Sequence, residues 1–480
     1  MNLTTISEIP TNKKPNLIYI FADQLRYQSC GYAGDEKAKT PNIDAFANEN
    51  INLCNAVSGH PVCAPYRASL FTGKYTTSTG MVINEIRMNT NHRCFAHVLN
   101  DNDYNTGYIG KWHLYADEWG NHLDPKNSFI PPGADRLGFD GYFAAYNFHH
   151  DFYGESAYYH LDTPEKIYAD KFEPDFQTDL AIEKLTEFAN SDKPFALFLS
   201  LGTPHDPWVK SNVPCEYYDK FKDVEFSLPK NYLSENDPHA DAWASLNEQE
   251  RAELTEWMRV YYAMTANLDD NFGRIMESVN NLGLSDNSII VFTSDHGELF
   301  GAHGRRAKNI FYDEAVRVPF LMRIPGQNEN KICNANFNTV DIMPTLLPLM
   351  GMSAPSEAEG SDISELLTKG TGKEPQCSLM MCTGKTADFG DGNEWRAART
   401  KQYTYAIFLS DKEEHLYDNI ADPEQMNNLA NNADFMQIKK ELSLLMYDEM
   451  SKINDNFEPN TYYEKNWVKN RRIVKTATLN

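Results

Sequence analysis

The amino-acid sequence predicts an α/β protein, with a large, mostly parallel mixed sheet sandwiched by helices and a smaller C-terminal α+β subdomain. Three observations lead there. Short, wholly apolar runs recur along the first part of the chain, as strands buried on both faces do. Helical patterns separate them, the alternation that builds parallel sheets. Several runs end directly in polar clusters containing Asp or His, which places those residues beyond the carboxyl ends of strands, where open α/β sheets bind ligands.

The elements follow in order. Residues 16–21, NLIYIF, read as a buried strand ending at Ala22-Asp23-Gln24. Thr40 and Pro41 open a helix, with Thr40 as its cap and proline at its first position. Residues 104–109 form an apolar run with turn character ahead of Gly110-Lys111. Residues 194–201 are the next strand and deliver Thr203-Pro204-His205-Asp206-Pro207. A long helix runs from about 248 to 281 and is closed by Gly283. The strand at 288–293 is followed at once by Ser294-Asp295-His296-Gly297. The stretch 353–374, rich in Gly, Ser, Glu and Thr, reads as a linker and divides the chain into 1–355 and 356–480. Beyond it, 396–409 reads as strand and turn, and 434–453 as a terminal helix.

Bulk properties narrow the class. At 480 residues, a large domain plus a smaller one is the natural division. Acidic residues outnumber basic ones by 68 to 44, a net charge of −24, which repels nucleic acid and anionic membranes and excludes both as partners. An anionic ligand therefore needs a local cationic pocket. Mean hydropathy is −0.56 and no apolar stretch is long enough to span a bilayer. The first sixteen residues lack an apolar h-region. The sequence as it stands thus predicts a soluble protein without a signal peptide, cytoplasmic by default, or periplasmic or secreted where a leader has been removed. Eight scattered cysteines, Cys30, Cys54, Cys63, Cys94, Cys215, Cys333, Cys377 and Cys382, show no zinc-type spacing. Oligomeric state is not legible.

Cys63-Ala-Pro65-Tyr-Arg67, continued by Ala-Ser-Leu-Phe-Thr72-Gly73, is the strongest single signal. Here the chain resembles the type I, formylglycine-dependent sulfatases of the alkaline-phosphatase-like superfamily, in which this pattern directs oxidation of the cysteine to formylglycine by a maturation enzyme. The resemblance implies a chemistry. A sulfated thiol or simple alcohol has no easy internal exit. A hydrated aldehyde carries two hydroxyls, one to attack sulfur and one to re-form the aldehyde and expel sulfate.

Gly110-Lys111-Trp112-His113 resembles the same family, and implies Lys111 on a sulfate oxygen and His113 as proton acceptor from the formylglycine hydroxyl. Asp23, Gln24, Asp295, His296 and the modified Cys63 are the implied ligands of one calcium ion, since oxygen donors suit a hard cation. Many family members have Asp-Asp where this chain has Asp23-Gln24, so one negative charge is lost. His205 is implied as the acid for the leaving oxygen, Lys308 as a second sulfate contact, and Arg67 as support for the formylglycine and the metal-side carboxylates. His303, Arg305 and Arg306 belong to the same family-like string as Lys308, and their side chains suit capping or solvating a loop as well as the site.

The resemblance covers essentially the whole chain, weakly at Leu416-Tyr417-Asp418, Asp422-Pro423-Glu424 and Asn428-Leu429-Ala430. Residues 141–175 and 210–244 read as insertions rich in aromatics and histidine, including His149, His150 and Trp243, with Trp208 just ahead of the second. Their side chains suit either sugar stacking or packing. Arg399 and Lys401 are further candidates for substrate contact. The resulting expectation is a sulfuric ester hydrolase acting on a sulfated carbohydrate, from an algal polysaccharide or a glycosaminoglycan. A formylglycine-dependent phosphonate or phosphate ester hydrolase, an arylsulfatase of small substrates and an inactive glycan-binding relative stay open.

Overall fold

The protein is described here by a computed structural model covering residues 13–117, 124–149, 151–232, 241–327 and 330–479. Its main sheet has eight strands: β1 Asn16–Ala22, β2 Ile51–Leu53, β3 Asn105–Lys111, β4 Tyr142–Tyr146, β5 Phe195–Leu201, β6 Ser288–Ser294, β7 Phe320–Arg323 and β8 Lys331–Cys333. They lie in the order β8-β2-β7-β6-β1-β5-β3-β4. β1 sits in the middle, parallel to β5 and β6, and only β7 runs antiparallel to its neighbours.

The apolar runs work because both faces of the sheet are covered. Leu17, Tyr19 and Phe21 pack on helix α2 (Cys63–Thr72) and the helix Thr339–Leu349. Ile18, Ile20 and Ala22 pack on α1 (Pro41–Glu49), Glu173–Ala189 and Glu248–Asn281. Each fully buried Leu, Ile or Phe removed from water favours this arrangement by about 1.5–3 kcal/mol.

The C-terminal subdomain is an antiparallel sheet of Ser378–Cys382, Trp395–Arg399, Tyr403–Phe408 and Glu414–Asp418, in that order. The helix Met436–Lys452 covers one face through Leu442, Met446 and Met450. The other face meets Phe311, Tyr312 and Val316.

Several local expectations change. The 396–409 segment is a two-strand hairpin rather than one strand and a turn. Thr40 does not cap α1; its hydroxyl accepts from Gly31 N–H and donates to Asp44. The long helix begins instead on a capping box, Asn247 with Glu250, and Gly283 follows its end in a left-handed conformation (φ 66°). The stretch 353–374 is not a free linker. Glu359 and Gly360 donate backbone N–H groups to Gly73 O, Ser361 N–H goes to Asp341, and Ser364–Lys369 is helical. Among the described residues, no helix is long and apolar enough to cross a membrane.

Candidate active site

Four strand ends and one helix start converge. β1 delivers Asp23 and Gln24, β6 delivers Asp295 and His296, β3 ends at Lys111, and the turn after β5 carries His205. Cys63 is the first residue of α2, so its side chain lies where free backbone N–H groups and the positive dipole end favour an anion. Two glycines permit this close approach. A Cβ on Gly110 (φ 102°) would lie 2.0 Å from Ser200 O, and one on Gly297 would lie 2.0 Å from Glu314 O.

Asp23, Cys63, Asp295 and His296 are all buried and offer ligand atoms within 4.8 Å of one another. Cys63 Sγ lies 3.2 Å from His296 Nε2 and 3.7 Å from Asp23 Oδ1. Lys308 Nζ reaches that sulfur at 3.3 Å, Gln24 Oε1 at 3.1 Å and His205 Nε2 at 3.2 Å. Lys111 Nζ donates to Asp23 Oδ2 at 2.6 Å. Arg67 is fully buried and donates to Asp23 Oδ2 (3.2 Å), Lys111 O (2.5 Å) and Ser200 Oγ (2.7 Å), so it frames the site without facing out of it. His113, also in the left-handed region (φ 56°), packs on Phe148 and stands 3.8 Å from Glu85.

The electrostatics follow from this crowding. Burial alone would raise the Cys63 thiol, yet Lys111, Lys308 and His296 hold it well below its usual range. Burial likewise opposes ionisation of Asp23, but Lys111, His205 and Lys308 depress it strongly. Burial and Lys308 oppose a charged His205, whereas Asp206 and Asp23 outweigh them and raise it to about 9. Asp206 lies 3.0 Å from His205 Nδ1. Asp295 is raised by burial and by Asp23, and its Oδ2 accepts no hydrogen bond.

The residues expected to carry the chemistry, Asp23, Gln24, Cys63, Arg67, Lys111, His113, His205, Asp295, His296 and Lys308, thus lie in one neighbourhood. The pattern did not assign Glu298, which accepts from Gln24 Nε2 at 2.5 Å and from Phe300 and Ala307 N–H, or Ser200, Asp206, Glu85 and Phe148. Glu298 and Asp206 sit inside recognisable strings; Ser200, Glu85 and Phe148 gave no signal. The insertion aromatics mostly pack. His149 is buried, 3.2 Å from Glu173 and stacked on Tyr146, and Trp208 is buried with its indole on Pro204 O. His150 lies outside the described residues. Trp243 is half-buried and stacks on Trp257 at 5.4 Å. Arg399 is buried and committed to Asp313 and Asn55, so it is not available as the substrate contact expected of it, whereas Lys401 is exposed and pairs with Glu374 at the surface.

An open α/β sheet with a low-pKa thiol, two lysines and a carboxylate–imidazole cluster at its carboxyl edge defines an enzyme that handles an anionic group. Comparison specifies which. Residues 15–352 match the family model described as Sulfatase, and 301–452 match that of the N-sulphoglucosamine sulphohydrolase C-terminal region. The chain is 36% identical over 467 residues to an ulvan-active sulfatase of Formosa agariphila, covering 96% of this chain and 86% of that one. It is 28% identical over 500 residues to an endo-4-O-sulfatase of Bacteroides thetaiotaomicron, covering 94% of each. A solved structure from work on glycosaminoglycan metabolism in the latter organism superposes with a TM-score of 0.80 at 25% identity, covering 94% of this chain and 98% of its own. The chain belongs to the sulfatase family, the sulfuric ester hydrolases.

Proposed function

We propose that this protein removes sulfate from sulfated saccharides, with formylglycine formed at Cys63 by a separate maturation enzyme and one calcium ion beside it. The observation that carries this is the buried Cys63 at a helix start, inside the Asp23–Asp295–His296 cluster and flanked by Lys111 and Lys308. The saccharide class rests on the similarity to the ulvan-active and endo-4-O-sulfatases. Catalysis is assigned to residues 1–355, which hold all of these side chains.

The donor set fits a hard divalent cation. Two carboxylates and a Gln24 amide oxygen supply hard ligands, His296 adds an imidazole, and the Asp295 Oδ2 lone pairs have no hydrogen-bond donor. Calcium held there would polarise the nucleophile and the sulfate. Glu298 fixes Gln24 by accepting from its Nε2, which leaves the amide oxygen facing Lys308 and the cluster.

The remaining work falls to this chain's own groups. Lys111 and Lys308 neutralise the sulfate oxygens in a buried pocket, where charge interactions are strong. His113 takes the proton of the attacking hydroxyl. His205, held charged by Asp206, gives a proton to the leaving oxygen. Arg67 keeps Asp23 and the end of β3 in register.

The test is a comparison of kcat/KM for sulfated oligosaccharides, a small aryl sulfate and a phosphonate ester, together with the mass of residue 63. A sugar sulfate is a poor leaving group and draws on His205 and on remote contacts, so the oligosaccharide should be favoured. A clear win for the aryl sulfate or the phosphonate ester would remove the saccharide assignment. An intact thiol at residue 63 in active protein would remove the nucleophile.

A further inference from the structure

His113 is buried, and among the described residues neither its Nδ1 nor its Nε2 meets a hydrogen-bond partner. The Glu85 carboxylate stands 3.8 Å away, beyond hydrogen-bond range. A histidine that moves protons ordinarily has one ring nitrogen fixed by an acceptor, which sets the tautomer and aims the ring. Among the described residues, nothing of that kind holds His113.

What does contact the imidazole is another ring. The parallel pairing of β3 with β4 runs on past the strand ends. Trp112 N–H donates to Tyr146 O and His113 N–H to Asn147 O, both at 2.8 Å. The next residue of that loop, Phe148, therefore falls against the His113 side chain, with ring centroids 4.4 Å apart and planes tilted by 36°. The same Phe148 ring lies under Lys111 Nζ, 5.0 Å from its centroid, and Lys111 is tied to Asp23 at 2.6 Å. A cation over an aromatic face is electrostatically favoured, so Lys111 helps to hold the Phe148 ring in place. Asp23, Lys111, Phe148 and His113 thus form one line of contacts. The backbone narrows the choice further. His113 sits at φ 56°, uncommon for a residue with a Cβ, and its N–H is committed to Asn147. Only the side-chain torsions are left to the imidazole, and Phe148 is the flat surface that limits them.

We propose that Phe148 is a positioning residue: its ring, held against Lys111, sets the orientation in which the His113 imidazole receives the proton of the attacking hydroxyl. This rests on the assignment of His113 as proton acceptor above and adds the group that aims it. Proton transfer needs the nitrogen within hydrogen-bond reach of the hydroxyl, so a ring free to turn loses much of its effect. Phe148 is half-buried, so its replacement empties no part of the core.

The test uses the matured full-length enzyme and a small aryl sulfate, with each variant's rate normalised to its content of formylglycine at residue 63, read by mass. Phe148→Ala should lower kcat about 10–100-fold and change KM by less than about threefold, because the proton acceptor acts in the transition state rather than in binding. Phe148→Leu keeps bulk without the flat ring and should lose at least about tenfold in kcat; it carries the test if the alanine variant does not fold. Phe148→Tyr keeps the ring and should recover kcat to within about threefold of the parent. In a His113→Ala background, Phe148→Ala should cost less than about twofold more, because the group it aims is gone. A Phe148→Leu kcat within about threefold of the parent, a loss carried by KM alone, or an equal loss with and without His113 overturns the proposal. His113→Ala with the parental kcat overturns the proton-acceptor reading and this proposal with it. A strongly impaired His113→Ala beside an unimpaired Phe148→Leu overturns this proposal alone.

Discussion

Cys63, Cys94 and Cys382 are equally buried, yet their thiols are driven in opposite directions. Burial pushes Cys94 and Cys382 up to about 12, while Lys111, Lys308 and His296 pull Cys63 well below its usual range. Surroundings, not burial, single it out. Replacing Cys63 by Ala should therefore leave the fold intact and abolish sulfate release, whereas Cys94→Ala should cost stability through its cavity and spare kcat. Sulfate release by the Cys63→Ala protein within about tenfold of the parent would exclude a covalent role. Lys308→Ala removes the cation that touches Cys63, Gln24 and His205 together, and kcat should fall by roughly 10²–10³. Steady-state kinetics on an aryl sulfate measure this directly; an unchanged kcat with raised KM would mean that Lys308 binds without stabilising the transition state.

At the scale of elements, the strands that build the site were legible because they are wholly apolar and end abruptly in polar residues. Asp23, His205, Asp295 and His296 could be read as strand-end residues for that reason, and Cys63 through its extended string. What escaped the sequence depends on segments distant along the chain. Ser200 matters only because Arg67 reaches it, and Glu298 because Gln24 turns toward it. The polar 353–374 stretch looked free because its anchors, Gly73 and Asp341, lie on other elements. Asp341 yields a prediction of its own. Its carboxylate accepts the N–H groups of Asn338 and Ser361, at the start of the Thr339–Leu349 helix that packs on α2. Asp341→Ala leaves both donors without a partner and should cost roughly 2–4 kcal/mol in urea unfolding. Burial raises this carboxyl to about 7 despite those bonds. The folded state therefore holds the proton more readily than the unfolded chain. That stabilisation is complete below the usual carboxylate pKa of about 3.9 and is lost as pH rises through about 7. Asp341→Asn should remove this part of the pH slope; identical slopes in the two proteins would show that Asp341 ionises normally.

At the scale of the whole molecule, two charge patterns oppose each other. The cluster of Asp23, Asp295, Gln24 and His296 draws a cation, and its ligands come from both sides of the sheet centre. Chelation should abolish activity and lower the melting temperature, and added calcium should restore both, because a ligand bound only by the folded state stabilises it. Activity that survives exhaustive chelation would remove the metal from the mechanism. The second pattern is the net charge of −24 around a site whose cations are Lys111 and Lys308. At an ionic strength of about 0.01 M the Debye length is roughly 30 Å, so an approaching polyanion meets the field of the entire protein. At about 0.15 M it shrinks to about 8 Å, and only the local cations are felt. Buried contacts between the sulfate and the lysines are screened far less. Raising salt over this range should therefore increase kcat/KM on a multiply sulfated oligosaccharide, and should do so more for longer chains. An aryl sulfate, with a single charge, should respond less. Measuring kcat/KM against salt for oligosaccharides of increasing length decides the matter. A rate that falls with salt would mean that the pocket's cations dominate even at long range, and that the acidic surface does not select against long polyanions.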